Sequence, residues 1–373
     1  MNKLKSVSLL LFTLITLTAC MKPVTQRSTL PDEVVAQEEE KQREIALERH
    51  VQLEKRLARV SYPLLRAAEE LCTENLRAGT GTHITNKYAY KDEFRETAGR
   101  LYGLDDGLDV FFTVAGSPGD LAGLQPGDRV LKIGEHVVQP GDDALKAFAE
   151  YYREEVKPGQ LLSTKISRNG EVMTLDIVTD KVCDYKVGLV ESDAVNAFAD
   201  GEQVGVTRGM MRFTETEQEL ALVVAHEIAH NAMSHISAKR TNAMGGLFLD
   251  ILAAAAGVNT QGLFTDIAGQ AYSQEFEAEA DYVGLYIMAR ADQSIEGAAN
   301  FWRRMAAEHP ATINSAHAAT HPASAERFVA IEQTVSEINS KRDKGLVMMP
   351  EIKQDMENEG SGKGGDVFSL GGD

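Results

Sequence analysis

The sequence predicts an α+β fold, mainly helical with a small sheet, with a β-rich module set into it. Three observations carry this expectation. The run Glu219-Leu220-Ala221-Leu222-Val223-Val224 is a strong helix former that continues into Ala225-His226-Glu227-Ile228-Ala229-His230. A second helical run, Glu275-Phe276-Glu277-Ala278-Glu279-Ala280-Asp281, carries carboxylates four apart. Between about residues 96 and 182 the pattern changes to short alternating strands punctuated by glycine and proline. With 373 residues the chain has room for two or three domains. Its 38 basic and 56 acidic residues, net −18, disfavour nucleic acid and anionic membrane surfaces as partners. A hydrophobic content of 43% is ordinary for a globular protein and low for a multispanning one.

The first two runs carry chemistry. Helical positions four apart share a face, so His226 and His230 point the same way. Two imidazoles on one face are half of a zinc site, and Glu227 between them is placed as a general base toward a water at the metal. A catalytic zinc takes three protein ligands and keeps one position open, and Glu277 is the expected third ligand. Asp281, on the face of Glu277, then accepts a hydrogen bond from the non-ligating nitrogen of a ligand histidine. Without the histidine motif, the acidic run would read as a solvated helix face.

H-E-I-A-H followed by E-x-E-A-D-x-x-G-L resembles the HtpX and CAAX-prenyl-protease type of zinc metallopeptidase, a gluzincin, and within it the soluble periplasmic, BepA-like branch. The resemblance runs from about Asn196 to Arg327. Asn196-Ala197-Phe198-Ala199 resembles the family's active-site edge strand, and Thr320-His321-Pro322 with Arg327 resembles its late T-H-P-x-x-x-x-R signature. Gln274 departs from the Arg that many members carry, which puts a supporting ion pair in question and not the zinc. The resemblance implies an endopeptidase with one zinc per chain, acting on unfolded or misassembled envelope proteins. Substrate would lie extended beside Asn196, Ala197 and Phe198. His321 or Arg327 would stabilise the oxyanion, or His321 would hold the fourth zinc position at rest and keep the enzyme latent. The rival reading is a non-catalytic chaperone or assembly scaffold with a structural zinc.

Taken in order, residues 1–19 read as a signal peptide, with Lys3 and Lys5 before a short apolar core. Leu17-Thr18-Ala19-Cys20 resembles a bacterial lipobox, which implies lipidation at Cys20 and a lipid anchor on the periplasmic face of a membrane. Met21 mildly favours the outer membrane. An ordinary signal peptide cleaved after Ala19 is the alternative. Residues 20–95 are expected to hold a polar tether and an N-terminal helix or helix pair from Glu33 to Arg77. Its apolar stripe is Ile45, Leu53, Leu57, Val60, Leu64, Leu65, Ala68 and Leu71, behind a charged, solvated front.

Residues 96–182 form the β-rich module. Ser117-Pro118-Gly119-Asp120-Leu121-Ala122-Gly123-Leu124-Gln125-Pro126-Gly127-Asp128 is similar to the signature of PDZ domains attached to bacterial proteases. That implies binding of a peptide C-terminus by strand addition, with Tyr102-Gly103-Leu104 as the carboxylate loop and a short Leu121–Leu124 helix packed beneath the groove; a spacer with a closed groove is the alternative. Asn169-Gly170 is expected to turn a closing hairpin. Residues 183–345 are the expected peptidase, its first motif helix capped by Thr214 or Thr216. Residues 244–271 read as two short helices, a lid or plain core, and residues 346–373 as a disordered tail. With Cys20 assigned to the lipobox, Cys72 and Cys183 remain as an even pair in an oxidising compartment. A bridge there would close the neck of the module and leave it free to reorient, unless the two are buried thiols that never meet.

Overall fold

The computed structural model describes Thr25 and residues 28–72, 75–238, 273–308 and 324–351. The signal segment with Cys20, the stretch 244–271, His321 and the chain beyond Glu351 lie outside these residues. The fold is α+β. The described residues up to Ile45 and those from Ala46 on fall into separate units. No helix among the described residues is long and apolar enough to cross a membrane.

Helix α1 (Asp32–Ala67) is charged and exposed over its first turns, as expected, and Ile45 is exposed too. The apolar stripe is buried only further on, at Leu57, Val60, Leu64, Leu65 and Ala68. The helix stops at Ala67, ten residues short of the expected Arg77. Its terminal carbonyl, on Ala67, accepts from Arg290 Nε at 2.7 Å, and a single turn over Glu69–Leu71 redirects the chain. Leu76–Gly79 is then needed as strand β1, paired antiparallel with β8 (Asp180–Cys183).

The β-rich module hangs from that ribbon. It comprises β2 (Thr82–Thr85), α2 (Asp92–Tyr102), β3 (Asp109–Thr113), α3 (Pro118–Leu121), β4 (Arg129–Ile133), β5 (His136–Val137), α4 (Ala144–Glu155), β6 (Leu161–Arg168) and β7 (Glu171–Val178). The sheet runs β2-β3-β4-β6-β7, with β5 beside β4. It begins ahead of the expected boundary at residue 96, because Thr82 pairs with Thr113. Asn169 (φ 52°) and Gly170 (φ 85°) make the expected tight hairpin between β6 and β7. Leu121 is exposed, whereas Leu124 enters the module core with Leu108, Val110, Ile133, Ile166 and Ile177. The module is not loosely tethered: Phe111, Phe112, Ala98 and Leu104 pack against Leu47 and Val51 of α1.

The remaining part holds a second sheet, in the order β10-β11-β9, built from β9 (Lys186–Val190), β10 (Ala197–Ala199) and β11 (Gln203–Thr207). Helices α5 (Arg208–Phe213), α6 (Glu217–Ala232), α7 (Ser273–Arg290), α8 (Ala298–Glu308) and α9 (Ala325–Asp343) surround it. Helix α6 is buried almost throughout, so its sides all face protein. Thr216 is its cap, accepting from the Glu219 N–H at 3.1 Å, while the Thr214 hydroxyl bonds Met210 O instead. Arg56 of α1 donates to the carbonyls of Met211, Thr214 and Thr216 at 2.7–2.9 Å, fixing where α6 starts. The chain past residue 346 is pinned as far as Glu351: Lys341 Nζ donates to Met349 O, and the Glu351 N–H donates to Tyr282 Oη.

Cys72 and Cys183 are joined by a disulfide beside the β1–β8 ribbon, across a sequence separation of 111. By chain entropy, closing so long a loop stabilises the fold by about 4–5 kcal/mol. The Cys72→Ser/Cys183→Ser protein should therefore lose stability of about that size in denaturant unfolding. The unreduced, denatured parent should show no free thiol at either residue.

Candidate metal centre

Three side chains from two helices meet at one point. His226 Nε2 and His230 Nε2, one turn apart on α6, are 3.1 Å apart. Glu277 of α7 brings Oε2 to 3.3 Å from His226 Nε2 and Oε1 to 3.4 Å from His230 Nε2. Two ligand atoms at about 2.0–2.1 Å from one tetrahedral ion lie about 3.3–3.4 Å from each other. The three separations thus fit a tetrahedral zinc, and the N, N, O donor set suits it. All three residues are buried. Glu227, also buried, sits on the same helix between the two histidines.

The approach of α7 is set by Gly284. A Cβ there would stand 3.1 Å from His226 N and 3.2 Å from His226 Cα. A methyl group there would push the helices apart by a few tenths of an ångström, so glycine favours the close approach that brings Glu277 and Asp281 to the histidines. Asp281 Oδ1 lies 2.9 Å from His226 Nδ1, the partner expected for the non-ligating nitrogen. Behind it, Arg327 of α9 donates Nη2 to Asp281 Oδ1 at 2.9 Å and Nε to Oδ2 at 2.5 Å, and its Nη1 is 3.5 Å from Glu277 Oε2. Burial pushes the Asp281 carboxyl up, but the guanidinium outweighs it and holds the pKa below the usual value. For His226, burial disfavours charge, yet Asp281 and Glu277 raise its pKa to about 9. Asp281 and His226 thus both favour their charged forms despite burial.

This geometry changes the role of Arg327. An oxyanion stabiliser must face the substrate, and this guanidinium instead faces Asp281 and Glu277 under the indole of Trp302 at 4.8 Å. Trp302 is buried in the core and also walls the site, 5.2 Å from the His226 ring. Gln274 is on α7, and His321 lies outside the described residues.

Among the described residues strand β10 is the edge of the second sheet, paired with β11 on one side. Ala197 is buried; Phe198 is 38% exposed and its ring covers Gly205, its cross-strand partner. Asn231, next to His230, ties this edge to α6: its Oδ1 accepts from the Gly201 N–H at 2.8 Å and its Nδ2 donates to Gln203 O at 3.1 Å. Sequence reasoning passed over Asn231, as it did His235 and Glu279, which stand behind His230. In the β-rich module, Gly103 adopts φ 70° to end α2 and Leu104 is buried, so Tyr102-Gly103-Leu104 is a helix cap and not a carboxylate loop. A cavity of about 580 Å³ lies instead against edge strand β2 (Thr82, His83, Ile84) and α4 (Leu145, Phe148, Tyr152), and Ala58, Ser61, Tyr62 and Leu65 of α1 line it as well.

A helix-borne H-E-x-x-H completed by a glutamate from a second helix is the centre of a metallopeptidase. Residues 163–335, which include every residue of the triad, match Peptidase family M48. The chain is 30% identical over 218 residues to the mitochondrial metalloendopeptidase OMA1 of Schizosaccharomyces pombe, a match covering 54% of this chain and 61% of that protein. It is 30% identical over 135 residues to the beta-barrel assembly-enhancing protease of Yersinia pestis, covering 32% and 27%. The chain thus spans less than two thirds of the length of these relatives. Among solved structures, the HtrA3 PDZ domain bound to a phage-derived ligand is 15% identical, with a TM-score of 0.21, over 29% of this chain and 88% of that one. The family match and the metalloendopeptidase relatives support a metalloprotease.

Gly284→Ala tests the helix contact. The new methyl group meets backbone that cannot rotate away, so α6 and α7 must part. Stability should fall by about 1–3 kcal/mol, and zinc affinity, read by chelator competition, should fall with it.

Proposed function

We propose that this protein is a zinc-dependent endopeptidase of the bacterial envelope that degrades misfolded or misassembled envelope proteins. Its β-rich module, of PDZ type, would bind peptide C-termini to recruit or regulate substrate. The observation that carries the reading is the His226–His230–Glu277 triangle at tetrahedral spacing with Glu227 beside it. Zinc bound there would supply Lewis acidity toward a peptide carbonyl and a water. Glu227 takes the proton of the attacking water and delivers it to the leaving amine. Asp281 holds His226 in one orientation, and Arg327 keeps Asp281 ionised. An extended substrate adds to the outer edge of β10 beside Asn196, Ala197 and Phe198, pairing main chain to main chain. His321 is assigned either to the oxyanion or to the fourth zinc position at rest. Similarity to a beta-barrel assembly-enhancing protease supports the envelope reading, the lipobox-like Cys20 supports a lipid anchor at the periplasmic face, and Met21 favours the outer membrane.

Glu227→Gln decides between protease and scaffold. It should cut cleavage of casein by at least about 10²-fold while zinc content stays at one per chain. Undiminished cleavage would refute the role of Glu227, and a zinc-loaded parent that cleaves nothing would favour the chaperone reading. For the module, Leu145→Lys in the groove wall should weaken binding of a labelled apolar C-terminal peptide about tenfold in fluorescence anisotropy. Unchanged binding would remove the β2–α4 groove from the proposal.

A further inference from the structure

The two histidines of the triad are held from behind in different ways. His226 rests on a buried carboxylate that is itself ion-paired. His230 rests on another histidine: its Nδ1 is 2.9 Å from His235 Nδ1, and His235 Nε2 is 2.9 Å from Glu279 Oε2. His235 is only 1% exposed, and its ring stacks on Phe276 at 4.7 Å with planes 21° apart. Nothing in the peptidase chemistry above uses it.

The proton positions along this row follow from the geometry. His230 directs Nε2 toward His226 and Glu277, so that nitrogen must be bare to ligate a metal. The ring proton then sits on Nδ1. Two ring nitrogens 2.9 Å apart need one donor and one acceptor, so His235 Nδ1 accepts. The proton of His235 is thereby placed on Nε2, where Glu279 accepts it. One carboxylate at the half-exposed end of the row sets the tautomer of two imidazoles in sequence.

The backbone is bent to make this row. Helix α6 ends at Ala232, and Ser234 takes a left-handed φ of 57°. Left-handed backbone is unfavourable for a residue with a side chain. Here it turns the chain so that His235, five residues after His230, returns beneath it. Local strain beside a functional site is a reason to ask what it positions.

We infer that His235 and Glu279 are positioning residues that fix the tautomer and ring orientation of His230 and so set the affinity of the site for its metal. The inference rests on the metal-site reading above. It is tested on the full protein by zinc competition against a chromophoric chelator, with no substrate present. His235→Phe keeps an aromatic ring over Phe276 and removes the acceptor; zinc affinity should fall about 10–100-fold. His235→Asn places a carbonyl oxygen near the former Nδ1 and should recover affinity to within about threefold of the parent. Glu279→Ala, at a half-exposed position that does not threaten folding, should cost about three- to tenfold, and in ¹⁵N spectra of the zinc protein the His235 ring should no longer hold a single tautomer. Parent-like affinity in His235→Phe or in Glu279→Ala would overturn the inference. So would failure of His235→Asn to recover affinity while its unfolding in chelator matches that of the parent. A parent that takes up no zinc would instead overturn the metal-site reading itself.

Discussion

The contact on which the site depends is the backbone approach of α7 to α6 at Gly284. Everything with chemistry in this part of the molecule is arranged around it. Glu277 reaches the histidines because the two helix backbones nearly touch two turns further along α7. Asp281 lies between the two in the same helix, so the same closeness places it on His226. Arg327 then approaches from α9, pairs with Asp281 and lies close to Glu277, and it holds the Asp281 pKa below its usual value. The apolar neighbours of α6 and α7 supply the burial; the glycine decides the distance.

Burial and charge work against each other here, and the outcome differs from one residue to the next. Desolvation alone would make Asp281 neutral and His226 neutral. Instead the guanidinium lowers the Asp281 pKa, and the carboxylates raise that of His226. A cluster that holds both signs in the interior is already organised for a cation. His230 is handled differently, through an imidazole whose far end meets a carboxylate half in solvent.

Much of this was legible from spacing. Pairs four apart on a helix share a face whatever the surroundings, so His226 with His230 and Glu277 with Asp281 could be read from the chain. The Asn169-Gly170 hairpin and the cap at Thr216 are likewise local and readable. What could not be read depends on contacts far apart in sequence. Arg327 looks like any arginine near a site until α9 is packed, and only then is it seen to face carboxylates. His235 follows the motif by five residues, off the helical face, and joins the row only through the bend at Ser234. The groove was misplaced for a related reason. Tyr102-Gly103-Leu104 has the glycine of a binding loop, but that glycine ends a helix, and the edge strand that lines the cavity with α4 is β2, which lies ahead of the expected module boundary.

The β1–β8 ribbon has a consequence for how the chain could have been assembled. Gly79 and Asp180 are cross-strand partners, so the chain leaves for the β-rich module and returns at adjacent positions. A short turn joining those two residues would convert the ribbon into an ordinary hairpin and leave the order of every later strand and helix untouched. The module is therefore a cassette in the topological sense. Lineages could gain, lose or exchange it by a single splice at one hairpin tip, with the surface of α1 beneath Phe111 and Phe112 the main place where such a change would need repair.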